Sequence, residues 1–285
     1  MSKDSYSLFA KLFHYIALNF SSIQDLSFSL DQNLCKLKDN DCPTNNQHIY
    51  VSGLARAGTT ALMRFLYETG EFCSLTYRDM PLPLAQHLWK KMLSVSSKQN
   101  YQKERAHKDG ILIGFDSPES IEEIFWRVFS GEQYIQSNKL VPMTADDSTI
   151  DKYRQYVATI LYHNNMDRYL AKNNNNILRI VSVLKAFPNA FILIPFRDPI
   201  QQSLSLHNQH INFLNQHSSS SFTQKYMTWL AHHEFGFDHR YFDVGEHMSE
   251  FQPTSSSYWL DQWINVYSFL LRSCCDMSQV IFISF

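Results

Sequence analysis

The sequence has no excess of positive charge from which a nucleic-acid-binding surface could be built. Its 25 lysines and arginines face 27 aspartates and glutamates, so the formal net charge is −2. Such a chain lacks the broad basic field that holds nucleic acid or anionic lipid. We therefore expect no nucleic-acid partner, and any site for an anion must be local.

The sequence also lacks paired cysteines and long apolar runs. Its five cysteines are an odd number without C-x2-C spacing, which argues against a disulfide framework and against a zinc site. They indicate reduced thiols and a cytoplasmic location. The N-terminal segment mixes charged and apolar residues and predicts an amphipathic helix rather than a signal peptide. No stretch predicts a transmembrane segment.

What the sequence does contain is enough apolar surface for a large core, with 44% hydrophobic and 14% aromatic residues among 285. Short runs rich in Ile, Val and Phe predict buried parallel strands at 48–52, 111–115, 191–196 and 280–285. Helical patterns occupy 60–69, 121–129, 150–171, 177–187, 200–214, 222–232 and 258–274. This alternation predicts one α/β domain over 48–285, with a P-loop-like parallel sheet flanked by helices and a partly helical lead over 1–47.

Two further features bear on how complete this fold is. The asparagines at 173–176 predict a turn, and we interpret the last three as low-complexity filler. The chain ends at Phe285, directly after a predicted strand. We therefore expect either a truncated chain or a last strand that closes a shortened fold.

The segment VSGLARAGTT at 51–60 joins a predicted strand to a predicted helix through a glycine turn. Gly53 and Gly58 allow close approach to the backbone, and Thr59 and Thr60 add hydroxyl donors in the first helical turn. Backbone N–H groups and the helix dipole favour an anion at such a turn. The segment therefore predicts a phosphate or sulfate site.

The positively charged residue of this loop is not at the position that it has in loops that bind nucleoside triphosphates. Thr59 stands at the lysine position of the Walker pattern, and Arg56 lies three residues earlier. No predicted apolar strand ends in an aspartate that would hold Mg²⁺. Because a guanidinium fork suits the oxygens of a tetrahedral anion, this arrangement favours transfer of a sulfonyl group over triphosphate chemistry.

A second group of polar residues follows in FPNAFILIPFRDPIQQSLS at 187–205. Arg197 lies at the carboxyl end of a predicted strand, where ligands of open α/β sheets bind. Asp198 is a natural N-cap and Pro199 a natural first helical residue. Arg197 and Ser205, eight positions apart, predict a second phosphate site, well separated from the first.

Together, GLARAGTTALMRFL and FPNAFILIPFRDPIQQSLS resemble the sulfotransferase superfamily, in particular its bacterial and tyrosylprotein-like branch. The intervening AKNNNNILRI resembles the lysine-bearing segment before the second strand. These matches cover roughly residues 48–210. The resemblance implies a sulfotransferase that uses 3′-phosphoadenosine 5′-phosphosulfate as sulfonyl donor, a hydroxyl acceptor and no metal.

The resemblance also implies roles for single residues. Arg56 would stabilise the sulfonyl group in transfer, and Lys172 would neutralise the leaving phosphate. Binding of the donor would fall to Gly53, Ala55, Arg56, Ala57, Gly58, Thr59 and Thr60 at the 5′ end and to Arg197 and Ser205 at the 3′-phosphate. The chain departs from the family pattern at Ala57, where serine is common, at Asn173 and Asn174, where a proline-containing turn is usual, and in having no segment beyond Phe285.

Attack by a hydroxyl needs a group that accepts its proton. The candidates are Asp79, the closest acid downstream of the first helix of the loop, and Asp116 or Glu119 after a predicted strand. Asp116 has a second interpretation as the cap of the helix near Ile121. For Glu122 and Glu123 we prefer a role at the start of that helix.

The segment HHEFGFDHR brings three histidines together at 232, 233 and 239. It does not match H-E-x-x-H, and adjacent histidines on a helix face different directions. We therefore interpret these side chains as surface or lid histidines rather than metal ligands.

Two alternatives to a sulfotransferase stay open at this point. One is a P-loop kinase acting on a small hydroxyl compound, which would need Mg²⁺ and a triphosphate. The other is a truncated, inactive nucleotide-binding protein. The acceptor stays open among small molecules such as phenols and lipids, glycans, and peptide tyrosine, because acceptor pockets are built from variable loops. The oligomeric state stays open too.

Overall fold

A computed structural model describes residues 8–35, 46–93, 103–104, 112–113, 118, 120–245 and 252–285. The helices are α1 (Leu8–Asn19), α2 (Ser21–Cys35), α3 (Thr59–Glu68), α4 (Gln86–Leu93), α5 (Glu123–Tyr134), α6 (Asp147–Asn164), α7 (Ile180–Ala186), α8 (Pro199–Ser219), α9 (Ser221–Trp229) and α10 (Ser256–Cys274). The strands are β1 (Ile49–Val51), β2 (Lys103–Glu104), β3 (Leu112–Ile113), β4 (Lys139–Leu140), β5 (Leu170–Lys172), β6 (Phe191–Phe196), β7 (Tyr241–Phe242) and β8 (Val280–Ser284).

The central sheet has four parallel strands in the order β5-β1-β6-β8. Ile49 of β1 stands opposite Leu170 of β5 and Phe191 of β6, so these three strands run in close register. Their carboxyl ends therefore meet at one edge of the sheet, where open α/β sheets bind ligands. The predicted parallel sheet flanked by helices is confirmed.

Two of the predicted elements were wrong. The strand predicted at 111–115 is described only at Leu112–Ile113, where it pairs antiparallel with β2 outside the central sheet. The helix predicted over 150–171 ends at Asn164, because Asn165 adopts a left-handed conformation (φ 50°), and the chain then enters β5. The sequence of β5, Leu-Ala-Lys, has no β-branched residue that would mark a strand.

The two faces of the sheet bury different cores. Tyr50 of β1 points into the larger one, which holds an aromatic group including Phe125, Trp126 and Tyr153. Ile49 and Val51 point the other way, into a smaller cluster beneath α3 that also contains Met63, Phe72 and Leu170. Because successive strand residues face opposite sides, three residues of β1 are enough to anchor both layers.

Helices α1 and α2 pack against the rest of the described fold. Phe28 of α2 is buried and makes edge contacts with the rings of Phe125, Phe129 and Tyr156. The division into a lead over 1–47 and a domain over 48–285 stays a prediction. Within the described part of the chain, no helix combines the length and the apolar character needed to cross a membrane.

Candidate active site

The loop between β1 and α3 has the backbone conformation that the sequence predicts for an anion cradle. Gly58 is the residue before α3 and has φ 89°, a left-handed value that glycine adopts without a side-chain clash. Gly53 lies so close to β6 that an added Cβ would be 3.2 Å from the Pro195 carbonyl oxygen. A glycine turn that leads into a helix N-terminus is the geometry in which backbone amides and the helix dipole favour an anion.

Neighbouring helices hold this loop in place. The Gln202 side chain donates from Nε2 to the Ala55 carbonyl at 3.0 Å, and its Oε1 accepts from Trp263 Nε1 at 3.0 Å. Asp198 caps α8 by accepting from the Gln201 N–H at 2.9 Å, and Pro199 is the first residue of that helix, as predicted. The loop therefore rests on Gln202 of α8, which Trp263 of α10 contacts in turn.

The residues of the two predicted phosphate sites are in direct contact, so the prediction that the sites are well separated was wrong. Arg56 Nε donates to Ser205 Oγ at 3.0 Å, and Arg197 Nη1 lies 3.4 Å from the Arg56 carbonyl oxygen. Arg56 itself has φ 67°, which is rare for a residue with a side chain. At this position Arg56 contacts the residues that follow β6 through both its side chain and its carbonyl oxygen.

A cavity of about 310 Å³ opens beside the loop. The predicted site residues that line it are Ala55, Arg56, Gly58, Thr59, Thr60, Lys172 and Arg197. Lys172, the last residue of β5, enters from the strand next to β1. The cations at the ends of β5 and β6 thus flank the loop that follows β1, on one edge of the sheet.

The lining of the cavity also contains His232 and Glu234, together with an apolar surface. Glu234 accepts from Asn174 Nδ2 at 3.0 Å, and its Oε2 lies 3.5 Å from His232 Nδ1. Burial alone would raise the pKa of Glu234, but the charges of His232 and Lys172 and the hydrogen bond to His232 hold it below its usual range. Glu234 is therefore an anion facing the cationic side of the site.

The asparagine run is not filler, so that prediction was wrong. Asn174, Asn175 and Asn176 are buried in a 3-10 turn and each donates to a carboxylate: to Glu234, to Glu123 and to Glu122 respectively. Buried amides need such partners. The run therefore positions the chain directly after Lys172.

Glu122 and Glu123 lie in this buried network rather than at an exposed helix end. Glu122 accepts from Tyr153 at 2.8 Å and from Tyr169 at 3.0 Å, and burial raises its pKa above its ordinary value. Glu123 pairs with Arg179 at 2.6 Å, with both side chains almost completely buried. Their partners are all parts of the fold, which agrees with a structural rather than a catalytic role.

The histidines of HHEFGFDHR are buried or half-buried rather than on the open surface, and the alternative interpretation as lid histidines stays a prediction. His233 is 3% exposed and pairs with Asp238 at 2.9 Å, while His239 contacts the Tyr258 hydroxyl at 2.7 Å. These three histidines do not form a cluster with metal-ligand geometry among the described residues, where Cys35, His87 and His163 do. Sequence reasoning did not predict His232 as a site residue, because it considered this segment only as a possible metal site.

Of the proton acceptors predicted from sequence, only Asp79 lies within the described residues, and it does not line the cavity. Asp79 is buried, and its Oδ2 accepts from the Thr76 N–H at 2.7 Å and from the Thr76 hydroxyl at 3.1 Å, so it caps a short 3-10 turn. Asp116 and Glu119 lie outside the described residues. The roles of all three stay predictions.

Comparisons with known proteins identify the family and a similar fold. The profile described as "Sulfotransferase family" matches residues 48–253. No curated protein sequence matches the chain significantly. Sulfotransferase STF1 from Mycobacterium tuberculosis H37Rv has a similar fold, with a TM-score of 0.52 and 12% identity over 99% of this chain and 73% of that one. Sulfotransferase STF9 from Mycobacterium avium aligns with a TM-score of 0.40 and 14% identity over 98% of this chain and 80% of that one.

Proposed function

We propose, on the premise that the chain belongs to the sulfotransferase family, that it moves a sulfonyl group from 3′-phosphoadenosine 5′-phosphosulfate to an acceptor hydroxyl. Family membership makes the chain a transferase enzyme. The observation that carries the choice of donor is the convergence of Arg56, Lys172 and Arg197 on one cavity beside a helix N-terminus. A donor with a phosphosulfate and a separate phosphate matches cations spread over three adjacent strand ends.

In this proposal each residue acts on one part of the donor. The amides at Gly58 and the hydroxyls of Thr59 and Thr60 bind the phosphosulfate. Arg56 donates to the sulfonyl oxygens, and Lys172 offsets the charge left on the departing phosphate. The transfer runs without a metal ion.

The 3′-phosphate is assigned to the residues that follow β6. Arg197 supplies a charged fork, and Ser205 adds a hydroxyl. Because Ser205 Oγ already accepts from Arg56 Nε at 3.0 Å, its own O–H can donate to a phosphate oxygen. One serine can therefore contact both the loop cation and the ligand.

The cavity wall supports an acceptor with an apolar body. Around the polar edge lie side chains of aromatic and aliphatic type, namely Tyr77, Met80, Ile121, Phe213, Tyr226, Met227, Leu230 and Phe235. Such a wall suits a phenol or a lipid alcohol better than a glycan, which needs many hydrogen-bond partners. Assay of labelled donor with phenols, long-chain alcohols, sugars and tyrosyl peptides tests this choice, and exclusive transfer to sugars would contradict it.

Donor recognition is tested by comparing adenosine 3′,5′-bisphosphate with AMP, which lacks only the 3′-phosphate. One charge-assisted contact contributes about 1.5–3 kcal/mol, so we expect a preference of about tenfold to a hundredfold for the bisphosphate in thermal shift titrations. Arg197→Ala should remove most of that preference and leave AMP binding nearly unchanged. Arg272→Ala, on the exposed end of α10, is the matched control.

Two outcomes would contradict the proposal. A wild-type chain that binds both nucleotides equally would remove the 3′-phosphate site. Consumption of ATP with Mg²⁺, in place of the phosphosulfate donor, would favour a kinase. Salt must be held constant, since both ligands are anions.

We also propose a reducing, cytosol-like compartment for this enzyme. The four cysteines in the described residues, Cys35, Cys73, Cys274 and Cys275, carry free thiols. Disulfides persist mainly in oxidising compartments, and the exposed thiol of Cys275 would be open to oxidation there.

A further inference from the structure

The proposed transfer also needs a group that accepts the proton from the acceptor hydroxyl, and Asp79, the one sequence-predicted candidate among the described residues, does not line the cavity. The segment after α9 brings two candidates into the cavity. Ala231 is buried and has φ 54°, a left-handed value that is strained for alanine. Strained backbone of this kind tends to occur where a side chain must be aimed at a site. Here it precedes His232, which lines the cavity.

His232 and Glu234 have the arrangement of a base and its orienting carboxylate. Glu234 Oε2 lies 3.5 Å from His232 Nδ1, and Glu234 is itself held by Asn174 Nδ2 at 3.0 Å. A carboxylate at Nδ1 favours the tautomer whose proton is on that nitrogen, which makes Nε2 the basic atom. We propose that His232 Nε2 accepts the proton of the acceptor hydroxyl and that Glu234 is its positioning residue.

This inference rests on the proposed function, and its chemical step moves one sulfonyl group and one proton. The acceptor oxygen forms a bond to sulfur while the bond from sulfur to the bridging phosphate oxygen breaks, and the leaving bisphosphate keeps that electron pair. The hydroxyl proton passes to His232 Nε2. The imidazolium, stabilised by the Glu234 carboxylate, then releases the proton to water.

The first test compares His232→Asn with His207→Asn, a histidine on the exposed face of α8 that contacts the Thr254 carbonyl. General-base catalysis contributes about a hundredfold to ten-thousandfold, so His232→Asn should lower kcat by at least about a hundredfold. Its binding of adenosine 3′,5′-bisphosphate should match that of wild type. His207→Asn should behave as wild type in both assays.

The second test separates positioning from plain structural support. In Glu234→Gln the imidazolium loses its anionic neighbour, so the acid limb of the kcat profile should move to lower pH. Added imidazole should restore part of the turnover of His232→Ala, because it can fill the space of the missing ring.

The results distinguish a wrong proton assignment from a wrong proposed function. Near-wild-type kcat in His232→Asn, with wild-type transfer intact, would overturn the proton assignment and leave the proposed function standing. A wild-type chain that transfers no sulfonyl group to any acceptor would overturn both. An unmoved acid limb in Glu234→Gln would remove Glu234 from the pair.

A second inference rests on a separate cluster formed by Cys35 at the end of α2, His87 in α4 and His163 in α6. All three side chains are partly buried, and one donor atom from each lies within 4.8 Å of the others. Cys35 Sγ is 3.6 Å from His163 Nε2. With Zn–S of about 2.3 Å and Zn–N of about 2.0–2.1 Å, two ligands of a tetrahedral ion stand about 3.5 Å apart.

The elements that carry this cluster are already fixed relative to each other. Asp31, one turn before Cys35 on α2, accepts from the N–H groups of His87 at 3.2 Å and Leu88 at 2.7 Å. Asp31 and Cys35 therefore face α4 together. We propose that Cys35, His87 and His163 bind Zn²⁺, with water as fourth ligand, and that the ion ties α2 to the body of the enzyme.

Cobalt is the probe for this site, because tetrahedral Co²⁺ with a thiolate ligand has characteristic visible and near-ultraviolet bands. We expect both sets of bands in wild type and in Cys275→Ser, an exposed cysteine that serves as control. Cys35→Ser should lose the thiolate band, and His163→Gln should weaken binding. Zn²⁺ should raise the unfolding temperature of wild type but not of Cys35→Ser. Absence of a thiolate band in wild type, or an equal rise in both proteins, would overturn the site.

Discussion

Arg56 has a left-handed backbone (φ 67°) while its side chain reaches Ser205. For a residue with a Cβ this conformation costs roughly 1–2 kcal/mol. Glycine would remove that strain and would also remove the guanidinium. Retaining arginine here is therefore understandable if the guanidinium acts in the transfer.

Replacing Arg56 should separate stability from turnover. Arg56→Ala and Arg56→Gly should each lower kcat by about a hundredfold or more, by analogy with the loss of one oxyanion donor. Arg56→Gly should nevertheless be more stable to urea than Arg56→Ala by about 1 kcal/mol, because only glycine relieves the backbone. Equal stability of the two variants, or wild-type turnover in either, would contradict this account.

We expect substitution of Gly58 to reduce stability and ligand binding, for a different reason than at Arg56. Its φ is 89°, and an added Cβ would lie 2.9 Å from the Phe285 ring. Gly58→Ala should therefore reduce the free energy of unfolding by about 1–2 kcal/mol and weaken bisphosphate binding in thermal shift assays. Gly70→Ala is the control: it shares a positive φ of 76° but has open space around it and lies beyond α3. It should lower stability without affecting the ligand.

Residues of the loop could be predicted from sequence because their roles depend on local backbone geometry. His232 and Glu234 could not, since their position in the same cavity as Lys172 depends on the whole path of the chain. The one local signal was Glu234 within HHEFG, two residues after His232. That spacing indicates a functional pair only when the turn at Ala231 is known.

At the scale of elements, the network between α5 and the asparagine run holds the end of β5 in place. Its one fully buried ion pair is Glu123 with Arg179, whose guanidinium also lies 4.6 Å from the Tyr134 ring. Sequence reasoning missed this network because asparagine runs are usually solvated, and because two adjacent glutamates at a helix start are usually exposed. Only burial distinguishes the two cases.

Breaking this pair should be costly. Arg179→Met leaves the Glu123 carboxylate buried without its cation, so the free energy of unfolding should fall by about 3–5 kcal/mol in urea titrations. Lys185→Met breaks the exposed pair with Asp147 and should cost less than about 1 kcal/mol. The double variant Glu123→Gln/Arg179→Met should recover part of the loss. A small effect of Arg179→Met would show that the pair is not the main support of β5.

At the scale of the molecule, the parallel sheet could be predicted because β6 and β8 are long apolar runs. Its order could not, because β5 is short and carries no strand signal. Yet the order β5-β1-β6 is what brings Lys172, the glycine loop and Arg197 to one edge. The site is thus a product of topology, although each of its cations was visible in the sequence.

The stability of the whole molecule should depend on pH through buried histidines. Burial lowers the pKa of His239, which packs between backbone carbonyls and Tyr258, to about 4. Burial likewise lowers the pKa of His210, which accepts from the Gly236 N–H, to about 4. A histidine whose pKa is lower in the folded state has no effect on stability above pH 6.5, where it is neutral in both states. Below that, the unfolded chain binds a proton that the folded chain refuses, and the loss grows until about pH 4.

For His239 this linkage corresponds to about 2 kcal/mol between roughly pH 7.5 and pH 5. Buried acids titrate in the same window, because burial raises the pKa of Glu122, so a single pH series of wild type would mix the two effects. The measurement therefore compares the free energy of unfolding in urea between wild type and His239→Gln at both pH values. The glutamine amide can still donate to the Glu234 carbonyl and accept from Tyr258, so the variant should fold. Wild type should lose about 2 kcal/mol more than the variant on acidification, and equal losses would show that His239 takes up its proton in the folded state.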